Sequence, residues 1–378
     1  MIPFSCAGFF VFGVVLVLVG ANQADLARTL ELDLAKSGLL GATLALGIGI
    51  GVAGSGPLVD RLRRRRLFVG AALLAAAALL LVDASMSYER ALLQMVLLGI
   101  GIGCHETLIN ASVSELYGAD AARPLLLVHA AVTVGAVLAP LGMGWLAESS
   151  AAGDSSWILS FRATGLAELA LAGWALRVDF PAPPAAGAAA HAPLRAVMSP
   201  ALLPFLVVGF AYVGVETVLT LFALPYAEGA LSLSAESGRL AISALWLGLL
   251  AGRLTLLGLP VRLDARLLVA AGLAGGVVLA GGIGLRIQEL ALVYAGTGFS
   301  MGFVFPLMIA LAAERFPEAR GTATGLVAGA AAMGGFAVPW LHGALGDSRG
   351  IAIALLALVP WCFAVAVAAF VAWRSTPQ

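Results

Sequence analysis

The chain is short of charge. Its 378 residues include 21 Lys or Arg and 21 Asp or Glu, 11% in all, where soluble globular proteins carry roughly 25%. The two signs cancel to a formal net charge of zero. No basic footprint for a phosphate backbone remains, which excludes nucleic acid as a partner. Cysteine is scarce as well. Cys6, Cys104 and Cys362 fall inside apolar runs with no C-x-x-C spacing, which reads as small core residues and not as ligands or bridges. No metal cluster, nucleotide loop or activated nucleophile can be read. Neither an enzyme, a catalytic residue, a cofactor nor a metal is expected. A basic segment ahead of the first apolar stretch, Ile2–Ala24, is missing too, so that stretch reads as a span and not as a cleavable signal.

What is abundant is apolar sequence, 61% of the residues, with a mean hydropathy of +1.02. The runs are continuous and lack the period-2 alternation of a transmembrane barrel. The composition is that of an all-α, polytopic membrane protein. Twelve helices of ~20 residues use ~240 residues and leave ~11 for each loop or tail. Charged residues set the boundaries. Spans are expected near 4–30, 36–59, 67–84, 89–116, 124–148 and 157–178, then near 200–225, 236–258, 265–285, 289–313, 321–345 and 350–373. The Pro- and Ala-rich stretch 179–199 is the one linker-like segment. It divides the chain into a six-helix bundle (1–178), a cytoplasmic linker and a second six-helix bundle (200–378).

Arginine placement sets the orientation. Of the 21 Lys and Arg, 13 fall on one set of alternate loops and tail and 7 on the other, with Arg253 inside a span. Arg61, Arg63, Arg64, Arg65 and Arg66 share one short loop, where the positive-inside rule is strongest. Both termini are therefore expected in the cytoplasm of a bacterial-type inner membrane. The halves also echo each other. Glu115-Leu-Tyr closes span 4 before Arg123, and Glu314-Arg-Phe closes span 10 before Arg320; Gly135 and Pro140 in span 5 match Gly335 and Pro339 in span 11. Two pseudo-symmetric six-helix bundles of this kind are a transporter plan with its site near mid-membrane between the halves.

Ionisable groups inside the apolar runs are functional candidates, because an ionised carboxylate there costs ~2.5–3.5 kcal/mol even on lenient insertion scales. Glu106 is the clearest, about ten residues from the end of span 4, with Asn110 one helical turn on. It reads as a proton carrier or as a hydrogen-bonded structural acid. Glu216 interrupts span 7 and reads as a site residue or as half of an ion pair between helices. His129 in span 5 faces a cavity or bonds a neighbouring helix, and His105 reads as packing or as a proton relay. Glu168 and Arg162 in span 6 read as a structural pair or a lipid-facing edge, and His342 as structural. Asp25, with Asn22 three residues earlier, reads as a solvated end or a site acid. Tyr212 and Trp246 are the aromatics placed to stack on a ring. Gly47, Gly51 and Ser55, Gly248 and Gly252, and Gly321, Gly325 and Gly329 form small-residue seams.

The loop after span 2 reads Gly56-Pro-Leu-Val-Asp60-Arg61-Leu-Arg63-Arg64-Arg65-Arg66. It resembles the G-x-x-x-D-R-x-G-R-R signature of the major facilitator superfamily, with Arg63 in place of the second glycine. Span 4, Gly103-Cys104-His105-Glu106-Thr107-Leu108-Ile109-Asn110, resembles the G-C-x-E-T-x-x-N stretch of the fucose permease type of proton–sugar symporter, with Ala111 where that type has proline. Asn22-Gln23-Ala24-Asp25 and Phe305-Pro306 are further similar patches.

The resemblance implies a secondary transporter, functional as a monomer in the lipid bilayer, that moves a small polar solute such as a monosaccharide together with protons. It implies proton coupling at Glu106 and Asp25. The candidates for holding the solute, from position and resemblance together, are Asn22, Asn110, His129, Tyr212, Glu216 and Trp246. It also implies a cytoplasmic gate. Asp60 would dock on the N-terminus of span 11 at Gly321, which carries partial positive charge, and Glu115 would pair with Arg61 or Arg64 beside Gly56. Arg253 is set to pair with Glu314. The seams of spans 2 and 11, and of spans 5 and 8, are expected to slide during transport, although static packing leaves the same pattern. The competing reading is a proton-driven exporter of hydrophobic compounds, which would need a larger apolar cavity.

Overall fold

A computed structural model describes residues 1–59, 62–149, 156–181, 199–258, 263–317 and 319–375. Its helices make twelve spans in two bundles, and the chain separates into two compact units. One holds Met1–Asp33 with Leu39–Ala189, the other Leu34–Gly38 with Ala190–Gln378. Most of the 179–199 linker lies outside the described residues.

In order along the chain, the first six spans are α1 (Ile2–Ala21) with α2 (Gln23–Thr29), α3 (Leu34–Val59), α4 (Arg64–Leu80), α5 (Tyr88–Tyr117), α6 (Ala122–Ser149) and α7 (Ser156–Ala175). The second six are α8 (Leu203–Leu231), α9 (Ala235–Gly258), α10 (Ala265–Gly284), α11 (Leu290–Met301) with α12 (Val304–Arg315), α13 (Arg320–Arg349), and α14 (Ile351–Leu356) with α15 (Val359–Arg374). Ten spans are long and apolar enough to cross a bilayer by length and composition; α4 and α7 complete the twelve. Ser87 and Asp264 open α5 and α10 by accepting from the backbone N–H of Arg90 and Arg266 at 3.3 and 2.9 Å, as N-caps do.

Three spans expected to be continuous are broken, and each break has a local cause. Asn22 leaves helical geometry between α1 and α2, and its Nδ2 donates to the Leu18 carbonyl at 2.8 Å. That side chain supplies the donor the backbone loses, as hydrocarbon requires. Between α11 and α12 the Gly302 carbonyl accepts from Arg253 Nε at 2.6 Å. Between α14 and α15 Pro360, in the first turn of α15, brings no N–H. Span 7 also runs past its expected end at 225, because α8 continues through Pro225 to Leu231.

Both bundles are built on one packing plan. In the first, α1 packs on α6 and α4 on α7; in the second, α8 packs on α13 and α10 on α15. The glycine seams complete it. A Cβ on Gly51 would overlap the Ile100 carbonyl, and one on Gly103 the Ile48 carbonyl, so α3 and α5 touch backbone to backbone. Gly248 and Gly252 on α9 meet the Ala295 and Phe299 carbonyls of α11 in the same way. Between helices with no hydrophobic drive to associate, such close approach supplies the van der Waals contact. The seams of spans 2 and 8 are thus in contact with α5 and α11 of their own bundles. A Cβ on Gly325 or Gly329 of α13, by contrast, would meet nothing within 4 Å.

Candidate functional site

In the first unit the expected residues gather on α5 and α6. Asn110 Oδ1 lies 3.0 Å from His129 Nε2, and Phe9 of α1 meets the imidazole edge-on with ring centroids 4.9 Å apart. Glu106, one turn from Asn110 on the same face of α5, is half-buried. Among the described residues, no hydrogen bond or ion pair reaches its carboxyl. The arrangement is a polar wall: an amide and an imidazole already oriented by each other, and beside them an acid with its bonding capacity free.

Asn22 and Asp25 are less available. Asn22 is buried; its amide holds the Leu18 carbonyl and reaches the Met143 sulfur at 3.3 Å. Asp25 is buried and ion-paired with Arg28, three residues on along α2. At the far end of α5, Glu115 pairs with Arg64 of α4 at 2.5 Å, with Arg64 itself only 3% exposed. Asp60 and Arg61 lie outside the described residues. Gly56 lies in the last turn of α3 and Gly321 in the first turn of α13.

In the second unit Tyr212 Oη donates to Glu216 Oε2 at 2.5 Å, one turn apart on α8. The pair borders a pocket between α8, α9 and α11 whose other walls include Val215, Leu245, Thr297 and Met301. Arg253 of α9 interacts electrostatically with both Tyr212 and Glu216. Arg253 was expected to pair with Glu314; it turns instead to the carbonyl freed where α11 ends, the place where a cation offsets the negative end of a helix. Trp246 is buried, and its neighbour Leu245 borders the pocket.

One further reading is corrected by the geometry. Arg162 and Glu168 do not pair: Arg162 donates to the Val82 carbonyl at 3.2 Å, and Glu168 lies 3.8 Å from His105 Nδ1. Six residues on a helix is ~240° of rotation, so the two side chains leave α7 on different faces. His342 is structural in a definite way. Its Nε2 accepts from Trp361 Nε1 at 3.0 Å and its Nδ1 bonds the Ala354 carbonyl at 2.7 Å, so the imidazole is neutral and ties α13 to α14 and α15. Phe9 and Thr297 were missed, since an apolar residue and a threonine in a span carry no signal of their own.

Comparison with known proteins agrees with the fold. An uncharacterized MFS-type transporter of Bacillus subtilis (strain 168), YfkL, is 25% identical over 355 residues, covering 91% of this chain and 88% of its own length. Among solved structures, a D-xylose-proton symporter superposes with a TM-score of 0.76 at 17% identity, covering 100% of this chain and 97% of that one. The nucleoside transporter NupG gives 0.76 at 15% identity, with 99% and 98% covered. A variant of the E. coli fucose:proton symporter FucP gives 0.68 at 18% identity, with 100% and 98% covered. These likenesses establish shared architecture. Residues 4–285 match the sequence profile of the Major Facilitator Superfamily, and on that match over most of its length the chain belongs to this superfamily of membrane transporters.

Proposed function

We propose that the chain is a proton-coupled symporter of a small polar solute, monosaccharide-like, working by alternating access in a bacterial-type inner membrane. The observation that carries the reading is Glu106: a half-buried carboxyl in the middle of a span, unpaired among the described residues, beside the Asn110–His129 pair. An acid in that setting gains and loses a proton according to its surroundings, because burial penalises its charged form and hydration relieves the penalty. The Asn110–His129 pair of the first unit and the Tyr212–Glu216 pair of the second offer hydrogen bonds to hydroxyl groups. An exporter of hydrophobic compounds has less use for them. The xylose, nucleoside and fucose specificities of the structural neighbours are consistent with a polyhydroxylated solute.

The test is Glu106→Gln in proteoliposomes loaded with radiolabelled monosaccharides. The amide keeps the shape and mimics the protonated acid. Counterflow, which moves no net proton, should survive, and uptake driven by an imposed pH gradient should collapse. Loss of both activities would make Glu106 structural. Retention of both would remove it from coupling.

A further inference from the structure

The first unit contains a second acid that the proposed transport site does not use. Glu168 on α7 is 0% exposed and His105 on α5 is 1% exposed. Among the described residues, neither imidazole nitrogen and neither carboxyl oxygen has a hydrogen-bond partner. The edge of Phe68 from α4 closes on the imidazole, ring centroids 4.4 Å apart and planes at 84°. On α1, a Cβ at Gly8 would sit 2.5 Å from His105 Nε2. Four helices therefore converge on two groups that trade protons readily.

Charge decides how many protons the pair holds. With none, the site has a lone carboxylate; with two, a lone imidazolium; with one, its net charge is zero. Unpaired buried charge costs several kcal/mol, so the one-proton form is favoured. That proton sits on Glu168 beside a neutral imidazole, or on His105 against a carboxylate. Passing between the two breaks one O–H bond and forms one N–H bond. The charged groups described nearby have partners of their own. Arg64 is engaged by Glu115, Arg162 by the Val82 carbonyl, and α1 carries no charged residue. Glu106 follows His105 directly, but ~100° further round α5.

Other unpaired polar atoms continue from this point. Ser112 is buried and its hydroxyl is unpartnered; seven residues from His105, it lies on the same face of α5, ~10 Å nearer the helix end. Ser5, one turn from Gly8 on α1, is buried with an unpartnered hydroxyl as well. Arg64, on α4 one turn from Phe68, leaves Nε and Nη1 unpartnered. Buried polar atoms without protein partners are where internal water is held.

We propose that His105 and Glu168 form a proton-binding pair that holds one exchangeable proton and exchanges it along the seam of Ser5 and Ser112, from the Arg64–Glu115 end of the bundle. The site is separate from Glu106 and stands whether or not Glu106 couples transport.

Infrared spectroscopy of the purified protein in lipid tests this, in a Glu106→Gln background with glutamate carbon-13 labelling. A protonated-carboxyl stretch of glutamate should be present at neutral pH, disappear in Glu168→Gln, and shift on transfer to D2O. Ser112→Val should keep the band and slow its shift by about tenfold, equivalent to ~1.4 kcal/mol on the exchange barrier. Should Glu168→Gln fail to fold, Glu168→Asp removes the labelled glutamate band with a smaller change. If Glu168→Gln and Glu168→Asp remove neither a glutamate carboxyl band nor an imidazolium band of His105, the proton on the pair is refuted. A band that never shifts refutes exchange, and a shift equally fast in Ser112→Val refutes the route.

Discussion

Tyr212→Phe isolates one hydroxyl in the second unit. In the native protein it donates to Glu216 across 2.5 Å, and Tyr212 is 2% exposed, so bulk water does not replace it. A hydrogen bond to a charged group contributes ~1.5–3 kcal/mol. The aromatic ring, which packs against Phe305 with centroids 6.5 Å apart, is unchanged by the substitution, so little packing is lost. What changes is the anchoring of Glu216. Arg253 still interacts with the carboxylate, but the oxygen that Tyr212 held is released to swing in the pocket. If Glu216 accepts hydrogen bonds from the solute, the lost anchoring appears as weaker binding, about 10- to 150-fold at one decade per 1.4 kcal/mol. The assay is initial-rate counterflow against concentration in proteoliposomes, with the thermal midpoint of the same purified protein measured alongside. The half-saturation concentration should rise by that factor while the maximal rate holds, with a modest fall in the midpoint from the lost buried hydrogen bond. A half-saturation unchanged within about threefold, far below the calculated range, refutes a solute role for the pair. If the midpoint alone falls, Tyr212 and Glu216 fasten helices and nothing more.

Asn110→Leu removes the partner of the His129 imidazole; at ~1 kcal/mol per hydrogen bond the half-saturation concentration in the same assay should rise about fivefold, and an unchanged value would place the pair outside the solute site. Gly51→Val and Gly252→Val force a side chain against the Ile100 and Phe299 carbonyls and should each cost ~1–3 kcal/mol, read as a lower thermal midpoint, whereas Gly325→Ala, whose Cβ meets open space, should leave the midpoint in place; equal effects at the three positions would refute the packing assignment. Arg66 is exposed at the start of α4, and in a cysteine-free background Arg66→Cys should resist an impermeant thiol reagent added to intact cells and react in inverted vesicles. Labelling from outside would reverse the proposed orientation.

How much of this was legible in the sequence depends on the length scale. Spans follow from hydrocarbon thickness, a constraint on ~20 residues at a time, so runs of apolar residues located all twelve. Breaks inside spans depend on single residues. Asn22 was conspicuous as a polar group, but a side chain that closes a helix end and one that binds a solute look alike in a sequence. The glycine spacing marked which faces are small. It did not mark which helix covers them, and α3 turned out to be sealed against α5. Arg162 and Glu168 were paired by proximity along the chain, and helical rotation sends them to different neighbours. His129 and Asn110 were each conspicuous, but their bond joins α5 to α6 and depends on tertiary packing.

The structure adds a criterion that composition lacks: what each intramembrane polar group already does. Polar groups in hydrocarbon need partners, and most of the conspicuous ones have found them in the protein. Asn22 serves the α1 backbone, Arg253 the end of α11, and His342 both Trp361 and the Ala354 carbonyl. Those residues repay their burial structurally, and removing any of them loosens a helix end or a helix pair. Glu106 is different. It is half-buried, so its carboxyl is not sealed in, and among the described residues it serves no helix end and no ion pair. A structural acid would be expected to have acquired a partner. An acid whose partner must come and go, as a proton would in the proposed symport cycle, is expected to lack one at rest. The same reasoning separates Glu106 from Glu168, which is also short of hydrogen bonds but faces His105 in a fully enclosed core. There a proton can be held without any solute reaching it.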